Sequence, residues 1–126
     1  MSVKAVRGAA QLRRNEAGEM TDVVVALVHD ILRENRIGTE HVVSILFSQT
    51  RDLDAANPAA SLRTAGYAEV PLFCTQEPEY PDSMPRMLRV LVTFEAPDQR
   101  DPVPVYKGGA RRLRPDLYPE ESGATG

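Results

Sequence analysis

The stretch PLFCTQE, residues 71–77, contains the only cysteine of the chain and a glutamate three positions after it. A nucleophilic thiol needs a base, usually a histidine, and the two histidines are His29 in a helical pattern and His41 before a strand pattern. The sequence places neither of them near Cys74. One cysteine and two separated histidines also match no metal-ligand spacing. The residue types therefore favour a small buried side chain at Cys74, and they predict no metal site.

Arginine is the second chemically informative residue type. Two of the 15 basic residues are lysines and the rest are arginines, whose guanidinium groups can bind a carboxylate through two parallel hydrogen bonds. Arg89 interrupts an apolar run, and period-two alternation puts it on the strand face shared with Met87, Leu91 and Thr93. A charge on so apolar a strand needs a partner. Two interpretations stay open, a solvent-facing or ion-paired arginine and a cation directed into a pocket.

The composition limits the class of protein. The 126 residues predict one domain over residues 1–115, followed by a mobile tail at 116–126. No leader and no membrane-spanning run is recognisable, which predicts a soluble cytoplasmic protein. A net charge of -3, 6% aromatic residues and no tryptophan argue against a general nucleic-acid binder.

Hydrophobic periodicity predicts an α+β fold with a mixed β-sheet, one long covering helix and a short helix. The long helix is expected over residues 17–35, and Asn57 is expected to cap a short helix that begins at Pro58 and runs through Arg63. Gly8 is expected to end the first strand, and Gly108 and Gly109 to form a turn. The strands are expected at residues 3–7, 42–48, 70–75, 87–94 and 103–106.

Several other charged residues are ambiguous when taken singly. Arg7 precedes Gly8, Arg63 ends the short helix and Arg114 precedes Pro115, and each has an ordinary interpretation as a solvated surface arginine. Glu77 likewise has one as a carboxylate in a proline-rich loop. No acid–base pair, phosphate-binding glycine loop or nucleophile with its base is recognisable. Residue types alone thus indicate an α+β domain with arginines suited to a small anion.

A set of short motifs, taken in order, adds a family resemblance. The motifs are V-R-G-A at 6–9, S-x-T-x-D-L at 48–53, N-P-A at 57–59, Arg63, V-P-L-F-C-T-Q-E at 70–77, L-R-V around Arg89, V-Y at 105–106 and L-R-P-D-L at 113–117. In order, spacing and total length the chain resembles the monofunctional chorismate mutases of the Bacillus type. These enzymes isomerise chorismate to prephenate in aromatic amino acid biosynthesis. The resemblance implies a homotrimeric pseudo-α/β barrel with active sites at the subunit interfaces and no cofactor.

The resemblance also implies roles for individual residues. Arg89 would be the catalytic cation beside the ether oxygen of chorismate, and Arg7 and Tyr106 would bind a substrate carboxylate. Glu77, the second catalytic residue, and Cys74 would contact the ring hydroxyl. Further substrate-binding residues are implied in three places: Asn57, Ala59, Ala60 and Arg63 across the interface, Phe73 in the pocket wall or rim, and Leu113 and Arg114 in the tail.

Three of these positions depart from the family pattern. Asn57 replaces a bulky apolar residue, Ala60 a lysine and Phe73 a small polar residue, so the pocket wall and rim are expected to differ. Two alternatives stay open beside the mutase. One is a small trimeric imine deaminase, and the other is a non-catalytic trimer that binds a carboxylate metabolite.

Overall fold

A computed structural model describes residues 1–120 of the chain. Five strands form one mixed sheet in the order β3-β2-β4-β1-β5, in which β4 is antiparallel to β1 and β2 while β3 and β5 run parallel to β2 and β1. The predicted α+β class is confirmed. In chain order the elements are β1 (Ser2–Gln11), α1 (Ala17–Glu34), β2 (Val42–Gln49), α2 (Pro58–Leu62), β3 (Leu72–Gln76), β4 (Met87–Ala96) and β5 (Val105–Lys107).

Both helices cover the same face of the sheet. The apolar stripe of α1 is buried, as its helical spacing predicts, with Val24, Leu27 and Ile31 at 0% exposure and Val23 partly buried. Alternate residues of the interior strands meet this stripe, among them Phe47 of β2 and Val92 of β4.

Neither α-helix covers the opposite face of the sheet. A small second cluster is buried on that face against the 3-10 helix at residues 108–113, and it consists of Ala9, Met87, Tyr106 and Ala110. The main core therefore lies between the α-helices and the sheet, while much of the other face is open among the described residues.

The prediction that Gly8 ends the first strand is wrong. β1 continues to Gln11, and Gly8 pairs with Val90 on one side and Val105 on the other. A Cβ atom at this position would lie 2.6 Å from Cδ1 of Ile31 and 3.1 Å from the carbonyl oxygen of Val105. The missing side chain therefore lets α1 approach the sheet closely, which is a tertiary requirement and not a local signal for the end of a strand.

Other predicted boundaries shift by a few residues. The strand predicted at 70–75 is β3 at Leu72–Gln76, and the strand predicted at 103–106 is β5 at Val105–Lys107. The expected glycine turn is the beginning of a 3-10 helix, Gly108–Leu113, in which Gly108 has φ +59°. Positive φ is the conformation that favours glycine.

The short helix begins as predicted. The side-chain oxygen of Asn57 accepts the backbone N–H groups of Ala59 and Ala60, and Pro58 occupies the first helical position. The chain then continues through a π-helical turn, Arg63–Tyr67, in which Gly66 has φ +111°. Both halves of the predicted cap are thus confirmed, and Gly66 lies inside the turn that follows α2.

The chain after Pro115 can be compared with the predicted mobile tail only in part. Tyr118 packs against Tyr106 with a ring-centroid separation of 6.3 Å, whereas residues 121–126 lie outside the described residues. Among residues 1–120, no helix is long and apolar enough to cross a membrane.

The close helix–sheet approach at Gly8 generates a stability prediction. We expect Gly8→Ala to lower the free energy of unfolding by about 1–3 kcal/mol, because the added methyl group overpacks the contact with Ile31. Gly18→Ala in α1 is the matched control, since a Cβ there meets nothing within 4 Å and alanine favours a helix. Urea unfolding of both variants at one protein concentration measures the difference. Equal midpoints would contradict the packing explanation.

Candidate active site

Arg89 lies on the open face of the sheet, at the middle of the interior strand β4. Its register pairs it with Ala9 of β1 and Ser48 of β2. The required partner of its charge is Glu77, with 3.4 Å between Nε of Arg89 and Oε1 of the carboxylate. The arginine side chain is 45% exposed and the glutamate side chain 20% exposed. Arg89 is therefore ion-paired and partly exposed, which agrees with the first of the two interpretations left open by the sequence.

A cavity of about 310 Å³ lies beside this ion pair. Arg7, Arg89 and Tyr106 line it, together with Ser48 and Thr75. Two guanidinium groups in a pocket of this size favour a small anionic ligand. The structure thus brings Arg7, Arg89 and Tyr106 to one cavity, and Glu77 adjoins them through its contact with Arg89.

A larger cavity of about 520 Å³ lies under the loop between β3 and β4. It is lined by Glu77, Asp52, Tyr80 and several prolines of the loop, and it shares only Glu77 with the candidate site. The smaller cavity is the better candidate despite its size, because Arg7, Arg89 and the buried Tyr106 line it.

Ser48 is a site residue that the sequence interpretation did not single out. Its hydroxyl donates a hydrogen bond of 2.5 Å to Oε1 of Glu77, the oxygen that also faces Arg89. Alternation along β2 could have placed Ser48 opposite the apolar Phe47, on a polar face. Its partner is 29 positions away, however, and no local signal identifies such a contact.

The C-terminal segment packs onto Tyr106, which is 6% exposed. The guanidinium of Arg114 lies 5.8 Å from the centre of the Tyr106 ring, and Leu113 packs against the same small cluster. Asp116 pairs with Arg114 at 2.8 Å, which together with a hydrogen bond to the Tyr106 side chain raises the pKa of Arg114. The same pair lowers the pKa of Asp116. Leu113 and Arg114 therefore lie beside the tyrosine of the cavity.

The remaining expected site residues form a second group beyond the edge strand β3. Cys74 pairs with the core residue Phe47, so its side chain points to the helix-covered face, opposite to Thr75. Its thiol donates to the side-chain oxygen of Asn57 at 3.2 Å. Burial raises the pKa of Cys74, while a hydrogen bond to the backbone of Ala59 and the charge of Arg63 act in the opposite direction.

Of the other four expected residues of this group, Ala60, Arg63 and Phe73 are exposed, whereas Ala59 is 5% exposed and packs in the core. Ala60 lies on the surface of α2, and Phe73 is 63% exposed on the open face beside Leu46. Cys74 and Glu77, which were expected to share one contact with the ligand, are thus not brought to one cavity within a single chain. The physical reason is the alternation of β3, which turns the thiol toward Asn57.

Among residues 1–120, no group of three or more histidine, cysteine, aspartate or glutamate side chains is arranged to hold a metal ion. The chemistry available at this site is that of arginine, glutamate, serine and tyrosine.

Comparison with known proteins identifies the family of this chain. The model of the family "Chorismate mutase type I" matches residues 3–117. Chorismate mutase AroH of Bacillus subtilis is 33% identical over 119 residues, covering 93% of this chain and 94% of that relative. Chorismate mutase AroH of Thermus thermophilus is 34% identical over 117 residues, covering 91% and 96%.

A solved structure gives the same result at the level of the fold. The chorismate mutase from Clostridium thermocellum superposes with a TM-score of 0.82 at 31% identity, covering 86% of this chain and 97% of that one. The chain therefore belongs to the type I chorismate mutase family. The family resemblance inferred from the ordered motifs is confirmed.

The environment of Cys74 generates a prediction about its ionisation. Because burial raises the pKa of Cys74, the thiolate should form at a higher pH in the folded protein than in the unfolded chain. The rate of iodoacetamide alkylation, followed by mass spectrometry as a function of pH, measures this midpoint without interference, since the chain has one cysteine. The urea-unfolded protein is the reference. A folded midpoint at or below that of the unfolded chain would contradict the assigned environment.

Proposed function

We propose that this protein converts chorismate to prephenate at a site shared by neighbouring chains of a homotrimer. The observation that carries the proposal is the Arg89–Glu77 ion pair beside a cavity lined by Arg7 and Tyr106, in a member of the chorismate mutase family. The product, prephenate, is a precursor in the biosynthesis of phenylalanine and tyrosine. A cytoplasmic location stays a prediction from the sequence.

The reaction is an intramolecular [3,3] rearrangement, so one C–O bond breaks while one C–C bond forms, with no covalent intermediate and no proton transfer. As the C–O bond breaks, negative charge develops on the ether oxygen. The ion pair brings Nε of Arg89 to 3.4 Å from Glu77, and among the described residues the terminal NH₂ groups of Arg89 have no protein acceptor. We assign these groups to the ether oxygen, where a fixed donor stabilises the transition state more than the ground state.

The other residues hold the reactive conformer. Arg7 and Tyr106 bind one substrate carboxylate, and Arg114, which already lies over the Tyr106 ring, closes the cavity together with Leu113. Glu77 accepts a hydrogen bond from the ring hydroxyl. Holding a flexible substrate in its chair-like conformer removes entropy before the reaction begins.

The second group of residues belongs, in this proposal, to the neighbouring chain. It consists of Asn57, Ala59, Ala60, Arg63, Phe73 and Cys74. The geometry supports this assignment because one chain leaves Cys74 and Asn57 on the far side of the sheet from Arg89. The open face also exposes apolar side chains, including Val3, Leu46 and Phe73, as expected for a surface that another chain covers.

Asn57 takes a different role from the apolar residue it replaces. Its side chain is already occupied by two backbone N–H groups of α2 and by the thiol of Cys74. We infer that Asn57 shapes the pocket wall by fixing Cys74 and the start of the helix. The family membership favours the mutase over the imine deaminase and over a binding protein without turnover.

Removal of the cation at position 89 should abolish most of the turnover. We expect Arg89→Gln to lower kcat by about 10²–10³-fold with a smaller change in KM, because the donor acts mainly in the transition state. Arg13→Gln removes the same charge from an exposed residue that lines none of the cavities described above and should leave kcat unchanged. The measurement is the loss of chorismate absorbance. A wild-type protein without activity, or an Arg89→Gln variant with full kcat, would refute the proposal.

Mixing of inactive variants tests whether two chains share each site. Arg89→Ala and Arg63→Ala should each be inactive, but refolding them together at equal amounts should restore about one quarter of the sites of a cyclic trimer. Arg89→Ala mixed with Arg7→Ala is the control and should restore nothing, since both changes fall in the same half-site. Activity is compared with the unmixed variants. No recovery in the first mixture would place the whole site in one chain.

A further inference from the structure

We propose that Ser48 is a positioning residue that fixes the carboxylate of Glu77 and keeps its ion pair with Arg89 open toward the ligand. This inference rests on the proposed function, because it concerns the same site. The observation behind it is the 2.5 Å hydrogen bond from the Ser48 hydroxyl to Oε1 of Glu77.

Glu77 needs such support because it follows the last residue of β3, at the beginning of the proline-containing loop. Two hydrogen bonds join Glu77 to strand β2. The carbonyl oxygen of Gln49 accepts the backbone N–H of Glu77 at 2.8 Å, and the adjacent Ser48 holds the side chain. Since β2 is hydrogen-bonded to β3 on one side and β4 on the other, both contacts come from an interior strand, which is a rigid support.

The same hydrogen bond decides which carboxylate oxygen is available. Both Ser48 and Nε of Arg89 approach Oε1, whereas Oε2 has no partner among the described residues. Oε2 is thus free to accept a hydrogen bond from a ligand hydroxyl.

Ser48 also limits the ion pair between Glu77 and Arg89 to one carboxylate oxygen. A carboxylate without the serine contact can turn to meet Arg89 in the bidentate geometry that arginine and carboxylate favour. That pairing would occupy a terminal NH₂ group that the proposed mechanism assigns to the ether oxygen. With Ser48 in place, the contact stays at one oxygen and 3.4 Å.

A shape-matched pair of variants tests the hydroxyl. Ser48→Thr keeps the donor, whereas Ser48→Val replaces it with a methyl group of the same size, and β-branched residues fit a strand. We expect Ser48→Val and Ser48→Ala to lower kcat/KM by about 10- to 100-fold, because the carboxylate is misplaced. Ser48→Thr should retain most of the wild-type kcat/KM. Ser44→Ala, on the same face of β2, is the control and should have wild-type activity.

A double-mutant cycle separates positioning from a general structural effect. In a Glu77→Ala background, Ser48→Val should cost no further activity, because its target is gone. Two results would contradict the positioning role and leave the proposed function intact. One is that Ser48→Val lowers activity by the same factor in the Glu77→Ala background as in the wild type. The other is that Ser48→Val is as active as Ser44→Ala although Glu77→Ala is impaired. If Glu77→Ala retains full activity, the assignment of Glu77 fails, and the role of Ser48 fails with it.

Discussion

The hydrogen bonding of β4 to strands on both sides is the constraint on which the site depends. β4 pairs with β1 over its full length and with β2 over most of it, so the position of Arg89 is fixed by backbone contacts and not by its own side chain. The same register brings Ser48 beside Arg89, and the parallel pairing of β2 with β3 delivers Glu77. A charged cluster is thereby built on a rigid apolar frame.

The two faces of the sheet have different roles, one in folding and the other in ligand recognition. On one face, α1 and α2 bury a continuous apolar core that includes Phe47 and Phe94. The other face carries the arginines and a row of exposed apolar residues. Cys74 and Asn57 show how strict the division is, because a single step along β3 turns the thiol away from the cavity.

Much of this organisation could be predicted from the sequence. The periodicity of α1, the alternation around Arg89 and the Asn57-Pro58 cap are local patterns, and the structure confirms each of them. The Glu77–Ser48 contact could not be predicted, because it depends on the register of strands far apart in sequence. The prediction that Gly8 ends a strand is wrong for a related reason, since the glycine is required by the packing of a helix that is distant in sequence. The ordered motifs nevertheless indicate the family, because they do not depend on knowing which distant residues are in contact.

The contact of Gly8 with α1 also has an evolutionary consequence. Position 8 has almost no volume to spare, and the nearest atom is the terminal methyl group of Ile31. A larger residue at 8 therefore becomes acceptable only if the side chain at 31 becomes smaller. These two positions should vary together among proteins of this fold, so a pair of substitutions will be tolerated where either one alone is selected against.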